Sequence, residues 1–216
     1  MRKMFDVELD SLREKLFYMV EQAQHSLKMA VSSLQQQDEN LARKVIEEAP
    51  KIDELEYEIN NDAIQLLAKQ SPVASDLRRI VIAIKVSSDL ERIGDLSENI
   101  ARISLRIGDK QLVKPIEEIP KMAEVVQEML LSSFKAFDAE DVRLAKEVAE
   151  KDDLVDAYYG NLVDELTILM TTHQQDIHQL TQLQFVCRHI ERIGDHITNI
   201  CENIVYLVTG KMYELN

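Results

Sequence analysis

Apolar residues recur at three- and four-residue spacing along almost the whole chain. The run Phe5, Leu9, Leu12, Leu16, Met19, Ala23, Leu27, Ala30, Leu34 is one uninterrupted example. That period is the signature of an amphipathic α-helix and is incompatible with the alternation of a half-buried strand. Punctuation between the periodic stretches divides the chain into six helices. The spacing predicts them at about 4–36, 39–69, 72–107, 117–137, 140–171 and 174–209. The first stops before Asp38, and the last ends at Gly210. Pro50 removes a backbone donor and predicts a bend in the second helix. In "SPVASD", Ser71 is the expected N-cap of the third helix and Pro72 its first residue. "GDKQLVKP", Gly108 to Pro115, is the one good linker candidate.

The second layer of pattern is a duplication. "SSDLERIGDLSENI", from Ser87 to Ile100, returns as "CRHIERIGDHITNI", from Cys187 to Ile200. Downstream of Asp76 the halves align at an offset of 100, pairing Val86 with Val186 and Asn99 with Asn199. Upstream the offset is 103, pairing Leu27 with Leu130, Val45 with Val148 and Asp53 with Asp156. The three-residue difference falls in a turn, where a repeat tolerates insertion. The expected fold is therefore all-α, a tandem repeat of two three-helix bundles. The expected domains are 1–108 and 116–212.

Composition agrees and narrows the function. The 5 Gly and 4 Pro in 216 residues, with few aromatics, argue against a hairpin-rich fold. The formal net charge of −14 argues against a nucleic-acid partner, whose phosphates require Lys and Arg. It equally disfavours anionic lipid and suits a cation or a basic protein surface. Cys187 and Cys201, roughly 21 Å apart on one helix, cannot form a disulfide with each other. The acidic start "MRKMFDVELDSLREKL" lacks a signal peptide's apolar run, and no stretch reaches membrane-spanning length. The expected compartment is the cytoplasm, without membrane insertion.

The candidate chemistry lies in the duplicated helix. On a wheel with Glu91 at zero, Asp95 falls near 40°, while Ile100, Ile93 and Val86 cluster at about 180–220° and Leu90 flanks them near 260°. Glu191 and Asp195 oppose Val186, Ile190, Ile193 and Ile200 in the same way. The carboxylate pairs are thus expected off the main apolar seam, on a solvent face or in a groove between helices. Gly94 and Gly194 lie beside them near −60° on that wheel. A mid-helix glycine costs about 1 kcal/mol relative to alanine, so something is expected to approach the backbone there. Paired carboxylates can be a solvated acidic face, or they can ligate a hard cation. Further ligands would come from "KDDLVDAY", with Asp152 and Asp156, and from "APKIDELEY". There Asp53 is kept but Ala49 stands where Asp152 would, with Glu56 as a possible substitute. His189 and His196 fall near 150° on the wheel and read as surface or packing residues. Cys187 reads as a small buried residue. No Glu-x-x-His di-iron pair and no Gly-rich phosphate loop is present.

These residues carry a resemblance. The tandem repeat, "SPVASDLRRIVIAIKVSSDLERIGDLSENIARI" and "HIERIGDHITNICENI" resemble the PhoU family over essentially the whole chain. The family's E(D)xxxD motif corresponds to Glu91/Asp95, Glu191/Asp195 and Asp152/Asp156, and on the second helix to Asp53 alone. The resemblance implies a metal-binding regulator rather than an enzyme, carrying iron, manganese, magnesium or zinc on those seven residues. It implies a cytoplasmic homodimer that restrains the phosphate-starvation response. It also implies action between PstB, the ATPase of the phosphate ABC transporter, and the sensor kinase PhoR. A metal-dependent helical-bundle phosphohydrolase and a metal-free helical scaffold are the alternatives that the residues alone leave open.

Overall fold

A computed structural model describes residues 2–70, 72, 74–114 and 116–215. Among the described residues the chain is helical apart from short connections. Its helices are α1 (Arg2–Gln36), α2 (Glu39–Glu48), α3 (Pro50–Gln70), α4 (Ala74–Ile107), α5 (Glu118–Ala139), α6 (Val142–Ala149), α7 (Asp152–Thr172) and α8 (Ile177–Thr209). A 3-10 turn at Gln174–Asp176 leads into α8.

Two of the six expected helices are therefore each divided in two. The second breaks into α2 and α3 where Pro50 withholds its N–H. The fifth breaks into α6 and α7 with no proline. There the backbone tightens instead, with Lys151 N–H donating to Val148 C=O at 3.1 Å and Leu154 N–H to Lys151 C=O at 3.0 Å. Both bonds span three residues, the 3-10 pattern that interrupts an α-helical ladder. In the first repeat Ile52 N–H donates to Ala49 C=O in the same way at 3.0 Å. Ser71, the expected N-cap, lies outside the described residues. Pro72 is not helical, and α4 begins at Ala74.

The turns that precede α2 and α6 are copies of each other. Gln37 and Glu140 both take left-handed backbone, with φ of 51° and 50°. Asp38 N–H then reaches back to Ser33 C=O at 2.9 Å, and Asp141 N–H to Ala136 C=O at 2.9 Å. Each aspartate caps the helix it precedes. Asp38 Oδ1 accepts from the Asn40 and Leu41 N–H groups at 2.9 and 3.1 Å. Asp141 Oδ1 accepts from Arg143 and Leu144 at 2.9 and 3.0 Å. Each cap satisfies N–H groups that the first turn of a helix leaves without partners.

Each half is thus a three-helix unit in which the middle helix is kinked. In the first, α4 packs on α1, α2 and α3; in the second, α8 packs on α5, α6 and α7. The halves meet where α4 lies along α8 and α1 along α5. The apolar core is continuous across both. Phe17 of α1 meets Phe134 of α5 edge to face, ring centroids 5.6 Å apart. Arg78 donates to the carbonyl of Leu207, and His196 meets Asp89 at 3.0 Å across the same seam. The connection between the halves is pinned too, since Val113 N–H donates to Gln179 Oε1 at 2.9 Å.

Because α4 and α8 are central, they bury far more than one seam. Besides the residues opposite Glu91, α4 buries Ser87, Gly94 and Ala101. On α8 the counterparts are Cys187, Gly194 and Cys201, also buried. These are small residues seven apart, a second stripe close to the carboxylates, where a neighbouring helix can come near the backbone. Replacing the caps tests the repeat geometry. Asp38→Ala and Asp141→Ala should each lower unfolding stability by about 1 kcal/mol, read by urea denaturation. An unaltered midpoint in both would rule out these caps as contributors.

Candidate metal sites

The kinks decide where the acidic residues stand. By starting a new helix at Pro50, the chain puts Asp53 in the first turn of α3. The break before α7 puts Asp152 in that helix's first turn. Carboxylates are favoured there, where unpaired N–H groups leave partial positive charge. Facing them, the middle of α4 carries Glu91 and Asp95, and the middle of α8 carries Glu191 and Asp195.

In the first repeat Asp53, Glu91 and Asp95 each offer a carboxylate oxygen, all within 4.8 Å of one another. Arg92 lies at the rim, its Nε 3.3 Å from Glu91 Oε2 and its Nη1 3.1 Å from Asp95 Oδ2. Burial raises the Asp53 pKa, and the charges of Asp95, Glu98, Glu56 and Glu54 raise it further. Burial likewise raises Glu91, with Asp95 adding to the effect and Arg92 opposing it. The expected substitute Glu56 acts on both as a nearby charge while accepting a hydrogen bond from Asn60. Glu98 was legible only as a third acidic residue after Glu91 and Asp95; its field on Asp53 comes from the folded arrangement.

In the second repeat the carboxylates go deeper. Asp152 is 1% exposed and Glu191 8%. One Glu191 oxygen, Oε1, is paired with Arg188. The other, Oε2, is buried with no hydrogen-bond partner. Burial raises the Glu191 pKa, and Asp195, Asp156 and Asp152 also raise it against the opposing Arg188. Asp156 is raised by burial and then by Asp195 and Asp153. All four expected residues therefore share one electrostatic neighbourhood. Of the two expected settings, a solvent face or a groove between helices, the second repeat has the groove. Glu191 and Asp152 are enclosed between α7 and α8, because α7 packs against the small-residue stripe.

The glycines explain the closeness. A Cβ on Gly94 would lie 2.9 Å from Ile52 Cδ1 and 3.2 Å from its Cγ2. A Cβ on Gly194 would collide with Asp152 Oδ1 and lie 3.5 Å from Val155 Cγ1. What approaches each glycine is thus the helix that carries the other acidic residues. Ala49, which replaces the Asp152 carboxylate in the first repeat, is buried at the end of α2. Its lack of a ligand does not prevent convergence: among the described residues, the three-carboxylate set meeting within 4.8 Å is in the first repeat.

The other candidates stay outside the clusters. His196 pairs with Asp89 across the repeats. His189 is half-buried, and burial followed by Arg192 and Arg188 lowers its pKa. Burial pushes the Cys187 and Cys201 thiols up to about 12, so neither supplies a thiolate. The available donor set is carboxylate oxygen, which suits hard cations such as Mg²⁺, Mn²⁺, Ca²⁺ or ferric iron.

Two outcomes test this geometry. Gly94→Ala should destabilise by about 1–3 kcal/mol through overpacking, and Gly94→Ala/Ile52→Val should recover part of the loss. Failure of the second change to help would show that Ile52 is not the obstruction. The pH dependence follows from carboxylates raised above ordinary values of 3.8 and 4.5. Raised groups favour the folded state while protonated, and that contribution is lost as pH rises through their folded values. Chelator-treated protein should therefore lose stability on their account as pH rises above those ordinary values, and Mg²⁺ or Mn²⁺ should raise Tm more at pH 7.5 than at pH 5. An equal rise at both values would contradict it.

The model of the PhoU domain matches residues 17–104 and again 119–204. A phosphate-specific transport system accessory protein PhoU homolog of Clostridium acetobutylicum is 38% identical over 216 residues, covering 100% of this chain and 99% of that protein. A homolog of the same description from Streptococcus pneumoniae is 33% identical over 216 residues and the full length of both. The crystal structure of the phosphate transport system regulatory protein PhoU from Streptococcus pneumoniae superposes with TM-score 0.90 at 32% identity, over 97% of this chain and 99% of that one. The PhoU structure from Pseudomonas aeruginosa superposes with TM-score 0.92 at 33% identity, over 96% and 100%.

Proposed function

Because the chain belongs to the PhoU family, we propose that it is a metal-binding regulator of phosphate uptake, restraining the phosphate-starvation response as an adaptor rather than an enzyme. Its relatives are named accessory and regulatory proteins of phosphate transport, which supports the regulatory reading. The observation that carries the metal is the convergence of Asp53, Glu91 and Asp95 within 4.8 Å. Glu191, Asp195, Asp152 and Asp156 are proposed as the second set. A hard divalent or trivalent ion, iron, manganese or magnesium before zinc, would supply the charge these carboxylates lack and tie α3 to α4 and α7 to α8. The carboxylate oxygens do the binding, and the helix N-termini behind Asp53 and Asp152 hold them in place.

The proposed partners are PstB, the transporter ATPase, and the kinase PhoR, with a second copy of this chain as a homodimer. Excess negative charge favours basic partner surfaces. No described helix is long and apolar enough to cross a membrane, and the proposed place of action is the cytoplasm, at the transporter's ATPase. The two units, proposed as 1–108 and 116–212, would present one acidic face each.

Elemental analysis of protein purified without chelators tests the metal. Glu91→Gln/Asp95→Asn should lose the metal of the first set while keeping its helical circular dichroism. Undiminished metal content in that variant would sink the ligand assignment. Co-purification from phosphate-replete cells tests the adaptor: recovery of both the transporter ATPase and the kinase is expected, and recovery of neither would refute it.

A further inference from the structure

The two acidic sites differ at two matched positions, and the differences act together. At the offset of 100 that aligns α4 with α8, Ser88 of the first repeat becomes Arg188 in the second. At the offset of 103 that aligns α3 with α7, Glu56 becomes Tyr159. The structure brings the two replacements together: the Arg188 guanidinium lies over the Tyr159 ring, 5.8 Å from its centroid. From that platform Arg188 pairs with Glu191 Oε1. An aromatic face attracts and orients a guanidinium, so less freedom is lost when it makes its ion pair.

The charge on Glu191 is thereby only half answered. Glu191 is 8% exposed, and its Oε2 is buried with no hydrogen-bond donor. Asp195, Asp156 and Asp152 press on it electrostatically. Among the described residues the first site has no arginine seated on a ring in this way. Its Arg92 sits one residue after Glu91, 55% exposed, touching the rim of a set that remains converged. Where the second site has an aromatic platform, the first has the further acidic residue Glu56.

We propose that Arg188, seated on Tyr159, is a built-in counter-cation of the second site, which a metal ion must displace before it can take both oxygens of Glu191. The two sites of one chain consequently load unequally. The first has only the unseated rim arginine, Arg92, to move aside from Glu91 and Asp95, and the second accepts a cation fully only as the seated guanidinium swings out to solvent. Arg188 is half-exposed, so this departure crosses no packed core. The displaced guanidinium then becomes a positive group on the α8 surface whose position reports whether the second site is loaded. This rests on the reading of both clusters as cation sites.

Manganese titration of chelator-stripped full-length protein, with free Mn²⁺ followed by electron paramagnetic resonance, tests it. Wild type should show two classes of site, the tighter removed by Glu91→Gln and the weaker by Glu191→Gln. Arg188→Ser should tighten the weaker class by about five- to tenfold and leave the other unchanged. Tyr159→Glu should act in the same direction. Ser88→Arg/Glu56→Tyr should transplant the device and weaken the first class by a similar factor.

Thermal melts give a second readout. Without metal, Arg188→Ser should melt below wild type, because Glu191 loses its one countercharge. With saturating Mn²⁺ the deficit should vanish. A weaker or unchanged second class in Arg188→Ser, or a melting deficit that persists in Mn²⁺, would overturn the inference and make Arg188 a structural residue. Two equal classes in wild type would overturn it as well. Absence of any Mn²⁺ binding in wild type would instead overturn the cation reading of both clusters, and this with it.

Discussion

The close crossing of α3 over α4 and of α7 over α8, at Gly94 and Gly194, is the contact on which the rest of the molecule depends. Neither crossing leaves room for a Cβ. In the first, Ile52 fills the space, and in the second Asp152 and Val155 do. Buried small residues one helical repeat away on each side, Ser87 and Ala101 or Cys187 and Cys201, extend the same shallow groove. A helix interior gives up about 1 kcal/mol to hold a glycine, and here packing offsets it. The approach also brings a carboxylate-bearing first turn against a carboxylate-bearing mid-helix face. Packing and chemistry are thus one arrangement.

That arrangement sets a tension. Hydrophobic burial pulls the helices together, and the same movement gathers carboxylates whose mutual repulsion and desolvation oppose it. The raised pKa values of Asp53, Glu91, Asp156 and Glu191 express that opposition. Each repeat offsets it with helix N-terminal charge and one arginine, but from different sides. Arg92 works from the rim and Arg188 from one turn before Glu191. A bound cation is the natural remaining offset.

Duplication did not produce two equal halves. The turns at Gln37–Asp38 and Glu140–Asp141 agree in backbone and in capping bonds. The site positions have diverged, with Ala49 against Asp152, Glu56 against Tyr159 and Ser88 against Arg188. The caps contribute stability wherever they stand, since each satisfies N–H groups of a helix's first turn. The site positions differ, yet the charges at each crossing remain answered. Two sites on one frame can then respond differently to the same ion.

Most of the frame was legible in the linear pattern. The 3.6-residue period, the two offsets and the repeated "ERIGD" led to the helices and the duplication, while the central place of α4 and α8 came from the packing. The mid-helix glycines beside Glu91 and Glu191 pointed to a close approach before its source was known. Local chemistry suffices for these features, because periodicity, capping and turn preference act within a few residues. The break between α6 and α7 was not legible, since no proline marks it and only the backbone tightening at Lys151 reveals it. Nor was the depth of Asp152 and Glu191, because a helical wheel knows one helix and burial depends on which neighbour covers it. The convergence at the first site despite Ala49, and the seating of Arg188 on Tyr159, belong to the tertiary structure alone. Both join residues from different helices, and their distances exist only once the packing of those helices is settled.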